Sequence, residues 1–414
     1  MTTIECDVAI VGGAVAGAGL ACNLRDTGLR VVVLEATKEI PQVNRGDALA
    51  PCTIAKLAEW GALPAFERRG AHKVRQWKAI GPEGDTLLHV QIADAAPAPY
   101  NYILCLPHPL LEAALCETAL SSGAIDFRRG VRVSGLLKDD RGAVVGVRGV
   151  TEAGPLEVRA KLVVGCDGAG SLVRQQAGIR TEIGTYPYQY VMLTCLRSPE
   201  QPGDQNTEIW GAEGFCGIYP ITAEHVRCPV QAQPGELARW REIGLARVHE
   251  ELKARLPYFD RMTVLDHDIH VYKILRHNAE TYVGDGVMLI GDSAHCTPPY
   301  YGMGMNMALR DSHHAKQVIV PLLKGGRRPT RDDLLPFEER THTFNQFVIT
   351  AGYQYGQAGA SRLRTNDEVQ AYLKTSTALD PDVMGVIYAD YDAPGPRESE
   401  PTRVSRRIAA ASAA

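Results

Sequence analysis

The segment from Cys6 to Glu35 restricts the possible folds more than any other part of the chain. Cys6-Asp7-Val8-Ala9-Ile10-Val11 is a short apolar run bounded by turn residues, the pattern of a strand buried on both faces. It enters Gly12-Gly13-Ala14-Val15-Ala16-Gly17, from which a helix is expected to run to about Thr27. A second apolar run, Arg30-Val31-Val32-Val33-Leu34, ends at Glu35. Strand, glycine turn, helix and strand make a βαβ unit, and Glu35 stands where a carboxylate accepts from a ribose hydroxyl. Gly12 permits the tight turn, and Gly17 lets the helix pack closely on the strand. Ala14 replaces the middle glycine of G-x-G-x-x-G, so a methyl crowds the approach of backbone to pyrophosphate. With a strand on either side, the turn reads as a dinucleotide site, together with the neighbouring Val15, Ala16 and Ala36.

The uncharged stretch Val8 to Cys22 also suggests an export signal, but its flanks do not fit. Glu5 and Asp7 precede it where such a signal carries basic residues. No other run approaches the roughly 18 apolar residues of a membrane span. The chain is therefore expected to be cytoplasmic, without stable membrane insertion. Its 414 residues, 45% of them apolar, suffice for a large core and two domains. A formal charge of -4 provides no polycationic face, so nucleic acid is not an expected partner. The ten cysteines include no Cys-x-x-Cys pair and read as reduced, buried thiols. His267 and His270 are expected on opposite sides of a strand, and His313 and His314 as helix neighbours pointing apart. No metal site is expected.

A second landmark lies far along the chain. Val287-Met288-Leu289-Ile290 leads into Gly291-Asp292-Ser293-Ala294-His295, followed by Pro298-Pro299 and Gly302-Met303-Gly304-Met305-Asn306. A buried strand thus delivers one carboxylate, and a proline corner and glycine bend open a helix. The carboxylate suits a polyol, and a helix N-terminus suits a group that becomes negative; a reduced flavin with its ribityl tail offers both. The plainer alternative makes Asp292 a helix cap.

A third landmark lies between these two. Leu162-Val163-Val164-Gly165-Cys166 runs into Asp167-Gly168-Ala169-Gly170-Ser171-Leu172-Val173-Arg174. Asp-Gly after a strand is a common turn, but the ordered set of three motifs over residues 4 to 345 resembles the para-hydroxybenzoate hydroxylase-like flavoprotein monooxygenases, including the ubiquinone-pathway hydroxylases. The Asp167 segment is similar to that family's DG fingerprint and the Asp292 segment to its GD fingerprint, with Ser293 in place of an alanine. The resemblance implies an α/β fold with a Rossmann-like, GR2-type FAD-binding domain (1–73, 99–182 and 283–345). A mostly antiparallel substrate domain (74–98 and 183–282) and C-terminal helices (346–392) complete it; residues 393–414, proline-rich and then alanine-rich with little to bury, are expected to be a disordered tail.

The family resemblance also implies roles. Asp292 bonds the ribityl chain, and Pro299, Gly302, Gly304, Met305 and Asn306 pack against the isoalloxazine. Asp167 lies near the pyrophosphate. Arg45 reaches the diphosphate, unless it is a solvated loop arginine. Val131 pairs its backbone with adenine. His108 departs from the Arg or Gln usual at its position and either donates to the flavin side chain or merely starts a helix. NADPH or NADH is the expected transient donor and dioxygen the co-substrate, with oxygen transfer through a flavin C4a-hydroperoxide.

Strand-like segments at Val74 to Ile80, Tyr188 to Leu196, Thr207 to Tyr219 and Val226 to Gln231 are expected to form a sheet over the flavin. Tyr300, Trp210 and Tyr219 are the candidates for contact with a flat substrate, although core packing explains single aromatics as well. No side chain declares itself as catalytic acid or base. The expected function is hydroxylation of an aromatic or polyketide-like molecule by a monomer or homodimer. Epoxidation, Baeyer–Villiger oxygenation and an isoprenoid-type reduction are the alternatives. A halogenase is disfavoured, because Trp60, Trp77, Trp210 and Trp240 are isolated and no W-x-W-x-I-P segment occurs.

Overall fold

A computed structural model describes residues 2–186, 188–211, 214–233, 235–255, 259–360, 363–375 and 387–393. The first apolar run forms Thr2–Val11, whose residues from Cys6 onward are all buried. It lies between Gly154–Gly165 and Val31–Glu35, parallel to both. Ile125–Arg129 extends the sheet in parallel beyond Val31–Glu35, and Val287–Leu289 does so beyond Gly154–Gly165. A parallel sheet must be covered on both faces. Helix Val15–Leu24 supplies part of that cover and packs against His108–Leu120 and Gly304–Lys324. A Cβ on Gly19 would come within 2.5 Å of Leu309 Cδ2, so a glycine is what permits this close helix crossing.

A second eight-stranded sheet includes Gln189–Leu196, His225–Ala232, Gly214–Pro220, Gln205–Gly211, Gln76–Ile80 and Thr86–Gln91 in that spatial order. All these neighbours are antiparallel except Gln205–Gly211 with Gln76–Ile80. Alternation along the strands gives the sheet two different faces. Val191, Leu193, Ile209, Cys216, Ile218, Val226 and Cys228 pack with Trp240, Val248 and Leu252 into an apolar core. Their neighbours in sequence face the other way, toward the central sheet.

Three local expectations need correction. The expected strand Thr207 to Tyr219 is a hairpin, because the chain leaves the ladder at Gly211 and re-enters it at Gly214. Helices Glu236–Ile243 and Leu245–Arg255 were not foreseen within the inserted segment. His267 and His270 lie in an irregular stretch before strand Val271–Tyr272, not on a strand. The expected C-terminal helices include Arg331–Ala360 and Asn366–Thr375. Residues 376–386 and the expected tail from 394 lie outside the described residues. All ten cysteines are buried and free. Among the described residues, no helix is long and apolar enough to cross a membrane.

Candidate active site

The space between the two sheets is a cleft of about 1080 Å³, at the upper end for a small-molecule site. Gly12, Ala14, Val15 and Ala16 line it from the first turn, Glu35 and Ala36 from the end of the second strand. Arg45, His108, Val131 and Asp167 line it from loops and element ends, and Asp292, Pro299, Gly302, Gly304 and Met305 from the distant motif. Folding therefore gathers the three separated landmarks onto one surface.

The glycine turn has little room for side chains. A Cβ on Gly12 would lie 2.3 Å from the Cys166 carbonyl oxygen, and one on Gly17 would lie 1.9 Å from the Gly12 oxygen. Gly17 thus serves the turn from behind and does not line the cleft. Glu35 binds the turn as well, since its carboxylate accepts from the Gly13 N–H (2.7 Å) and from Thr37 N–H and Oγ1 (both 2.7 Å). Asp167 caps the following helix, accepting from Ser171 Oγ at 2.5 Å and from the Val173 N–H at 3.1 Å. The amide of Val131 already donates to the Glu35 carbonyl at 2.9 Å, so the expected amide contact with adenine meets a competitor.

The Asp292 turn is braced from three sides. Asp311, buried on Gly304–Lys324, accepts from the Gly291 N–H at 2.9 Å and lies 2.6 Å from His295 Nε2. Arg174 donates to the Ser293 carbonyl and to the Ala169 carbonyl, 2.7 Å each, joining the second and third motifs. Ser293 Oγ stands 2.5 Å from the Gly165 carbonyl oxygen, at the end of the parallel strand. His277 approaches the Asp292 carbonyl oxygen with Nε2 at 3.1 Å; burial, with Arg174 nearby, lowers its pKa to about 4. The Asp292 side chain opens onto the cleft, yet it is enclosed deeply enough by protein that desolvation raises its pKa, against the lowering influence of His295 and Arg45. Among the described residues its carboxylate has no ion pair, and the Arg45 guanidinium has none either. His108 is buried, its Nδ1 3.2 Å from the Gly46 carbonyl oxygen, and burial, then Arg45, lowers its pKa.

Gly302, at φ +62°, ends the turn Pro299–Tyr301 and directs the chain into helix Gly304–Lys324. Neither this helix nor Val15–Leu24 has a side-chain N-cap, so two sets of N–H groups remain at the cleft for an anion. A Cβ on Gly302 or Gly304 would meet nothing within 4 Å. Asn306 faces elsewhere: its Oδ1 accepts from the Ala50 N–H and Thr53 Oγ1, and its Nδ2 donates to the Gly302 carbonyl. Two uncapped helix starts, an arginine without an ion pair and a cleft-facing carboxylate beside side-chain-free backbone fit the diphosphate, polyol and flat ring of FAD.

Over this surface lies the inner face of the antiparallel sheet, with Trp77, Tyr190, Met192, Phe215 and Tyr219 lining the cleft. Tyr301 lines it from the proline corner; the side chain of Tyr300 is outside the described residues. Trp210 does not reach the cleft wall and packs against Phe215, ring centroids 5.0 Å apart. The antiparallel sheet is tied at the cleft to the loop before strand Ala48–Leu49 by a buried ion pair, Arg227 Nε to Asp47 Oδ2 at 2.8 Å, with side chains only 5% and 7% exposed. Asp47 Oδ1 also accepts the His108 N–H at 3.1 Å. Asp47, Arg227, Arg174, Asp311 and the cleft-lining Glu208, Ile387 and Tyr388 had no role in the sequence reading. Arg174 stands inside the Asp167 motif, and a charge at the end of a motif's apolar turn was the available signal; the others had none.

Residues 387–393 fold back behind helix Gly304–Lys324. Arg310 donates to the Ala389 and Tyr391 carbonyls, each at 3.3 Å, and Tyr391 OH lies 2.7 Å from Thr53 Oγ1. This segment also brings Asp392 to His313 and His314, so that three ligand atoms lie within 4.8 Å of one another. The Lys56 ammonium, 3.1 Å from Asp392 Oδ2, already supplies positive charge there.

Comparison with known proteins yields a consistent pattern. The family described as FAD binding domain matches residues 5–351. The chain is 31% identical over 331 residues to 6-methylpretetramide 4-monooxygenase of Streptomyces rimosus, covering 77% of this chain and 76% of that protein. It is 26% identical over 375 residues to 3-demethoxyubiquinol 3-hydroxylase of Escherichia coli (strain K12), covering 87% and 91%. The solved structure of p-nitrophenol 4-monooxygenase PnpA from Pseudomonas putida DLL-E4 superposes with a TM-score of 0.77 at 23% identity, over 95% of this chain and 98% of that one; at that identity the likeness bears on fold alone.

Proposed function

Because this chain belongs to the FAD binding domain family of flavin-dependent monooxygenases, we propose that it hydroxylates a flat aromatic or polyketide-like molecule, with NADPH or NADH as transient electron donor and dioxygen as co-substrate. The observation that carries this reading is a single cleft with a dinucleotide cradle on one wall and Trp77, Tyr190, Phe215 and Tyr219 on the other. The similarity to proteins named as a 6-methylpretetramide monooxygenase and a demethoxyubiquinol hydroxylase supports the substrate class.

Bound FAD supplies the redox chemistry and the activation of dioxygen; the protein supplies binding, orientation and dryness. Asp292 would hold the polyol, Arg45 the diphosphate and Glu35 the ribose. The N–H groups at the start of helix Gly304–Lys324 would meet negative charge on the reduced ring. The Asp47–Arg227 pair holds the aromatic sheet against the cradle and limits entry of water. On this reading residues 1–73, 99–182 and 283–345 form the flavin body, and 74–98 with 183–282 cover it.

The test is NAD(P)H oxidation and oxygen uptake by purified, FAD-loaded protein with a panel of polycyclic phenols, with mass spectrometry of products. Stimulated oxidation with gain of one oxygen atom by the phenol supports the proposal. Oxidation without oxygen uptake would instead indicate a reductase. An oxygen inserted into a carbon–carbon bond or across a double bond would indicate the Baeyer–Villiger or epoxidase alternative.

A further inference from the structure

A buried chain of hydrogen bonds runs from the segment behind helix Gly304–Lys324 to the turn that opens it. Tyr391, beyond the family-matched 5–351, places its OH 2.7 Å from Thr53 Oγ1. Thr53 Oγ1 donates to Asn306 Oδ1 at 2.6 Å. That oxygen also accepts the Ala50 N–H at 2.8 Å, and Asn306 Nδ2 donates to the Gly302 carbonyl at 2.8 Å and the Ala48 carbonyl at 3.4 Å. Tyr391, Thr53 and Asn306 are all buried, so these bonds are made in the interior, where each counts for more than in water.

Donors and acceptors admit one direction along the chain. The Ala50 N–H fixes the oxygen side of the Asn306 amide, since the reversed amide would set donor against donor. The Thr53 hydroxyl has its proton on that oxygen, so toward Tyr391 it accepts. Tyr391 therefore donates, and its OH also reaches the Asn306 carbonyl at 3.3 Å. Burial, then Cys52, raises the Tyr391 pKa, which keeps the phenol a donor. Arg310, one turn beyond Asn306 on the same helix, holds the tyrosine from the other side: Nη2 donates to the Tyr391 carbonyl at 3.3 Å, and Cζ lies 5.3 Å from the ring centroid.

The chain clamps the turn at Gly302, whose φ of +62° directs the backbone into the helix. Gly302, Gly304 and Met305 line the cleft, and the helix has no side-chain N-cap. Asn306 thus sets the direction of the free N–H groups from behind. Hydride transfer from NAD(P)H gives FAD two electrons and one proton, leaving NAD(P)+ and a reduced ring with one negative charge. N–H groups held toward that charge favour the reduced ring over the oxidised one. Resting on the flavin reading above, we infer that Tyr391, acting through Thr53 and Asn306, is a positioning residue that raises the reduction potential of bound FAD by fixing the Gly302 turn. Tyr391 itself does not line the cleft.

The midpoint potential of FAD-loaded protein, measured against a reference dye, tests this. Thr53→Val keeps the shape of the side chain and removes the hydroxyl. It should lower the preference for reduced over oxidised FAD about three- to tenfold, the size of a helix-terminus interaction with a charge. For a two-electron couple that is a shift of about 15 to 30 mV to more negative potential. Tyr391→Phe should shift the potential in the same direction. The double variant should shift it no further than Thr53→Val, because both changes cut one chain. Thr53→Ser, which keeps the hydroxyl, should keep the wild-type potential. Leu252→Ala, in the far core of the antiparallel sheet, destabilises the protein and should leave the potential unchanged, which separates positioning from general loss of stability. Wild-type potentials in yellow Thr53→Val and Tyr391→Phe proteins overturn the inference, as does an equal shift in Leu252→Ala. If Thr53→Val does not fold, Tyr391→Phe alone decides. A wild-type protein that takes up no FAD would instead remove the flavin reading, and this inference with it.

Discussion

Asp292 is subject to opposing demands. Its use is to accept hydrogen bonds from a polyol, which needs the ionised form, while its enclosure favours the protonated form. Replacing it tests whether the first demand dominates. Asp292→Ala should bind FAD about 10- to 100-fold more weakly, the effect of losing charge-assisted hydrogen bonds; the ratio of flavin to protein absorbance after gel filtration reads this, and full occupancy would remove Asp292 from the site. Two histidines give a pH dependence of stability. Burial, with nearby cations, lowers both His277 and His314 to about 4, from the ordinary value of 6.5. Above pH 6.5 neither state binds the proton and the full stability is present. Between about 6.5 and 4 the unfolded chain takes up protons that the folded protein refuses, so stability falls as pH falls, by up to about 1.4 kcal/mol per pH unit for each histidine. Urea unfolding of His314→Leu should show a shallower loss over that window than wild type, and an identical slope would contradict it. Asp292 was legible in the sequence because a strand ending in one acid before a proline corner is a local pattern. Asp311 was not, since its partner Gly291 is 20 residues away and no local rule connects them.

At the scale of elements, the glycine turn and the segment behind the helix Gly304–Lys324 differ in origin. The turn follows from local sterics. Gly17→Ala would place a methyl 1.9 Å from a backbone oxygen, so the helix must move away from the strand; a loss of about 2 kcal/mol or more is expected, measured by urea unfolding together with loss of bound FAD. The segment 387–393 lies beyond the family-matched 5–351, yet Ile387 and Tyr388 line the cleft. Its anchor is Lys56, 5% exposed, which pairs with Asp390 at 3.3 Å and Asp392 at 3.1 Å. Lys56→Met leaves two neighbouring carboxylates without their shared cation. Limited proteolysis within 387–393 and the rate of FAD release should both increase, and an unchanged protease pattern would show that Arg310 and Tyr391 suffice. Local patterns located the strands but missed the break between Gly211 and Gly214, because both half-strands are rich in β-formers and only pairing reveals where the chain turns back. The inserted helices were missed for a related reason: Leu245–Arg255 has a weakly apolar stripe, and it becomes a helix that covers a sheet.

For the molecule as a whole, the decisive contact is the one that fixes the antiparallel sheet to the loop before strand Ala48–Leu49. Asp47 and Arg227 are 180 residues apart in sequence and both buried, so removing one leaves the other charge without its partner. Asp47→Ala should cost about 3–5 kcal/mol. The double variant Asp47→Ala with Arg227→Met should cost clearly less than the sum of the two single changes, which a double-mutant cycle in urea unfolding measures; strict additivity would mean that the pair does not couple the sheet to that loop. The sequence by itself determined the parallel βαβ cradle, the three ordered motifs and hence the flavin, because strand runs, glycine turns and helix starts are decided by contacts between residues close along the chain. Only the tertiary structure decided which face of the antiparallel sheet looks inward, that Tyr219 folds onto Glu208, and that Ile387 and Tyr388 close the cleft from behind. Those outcomes depend on which distant surfaces pack together, and an alternating strand pattern is the same whichever of its faces meets the core.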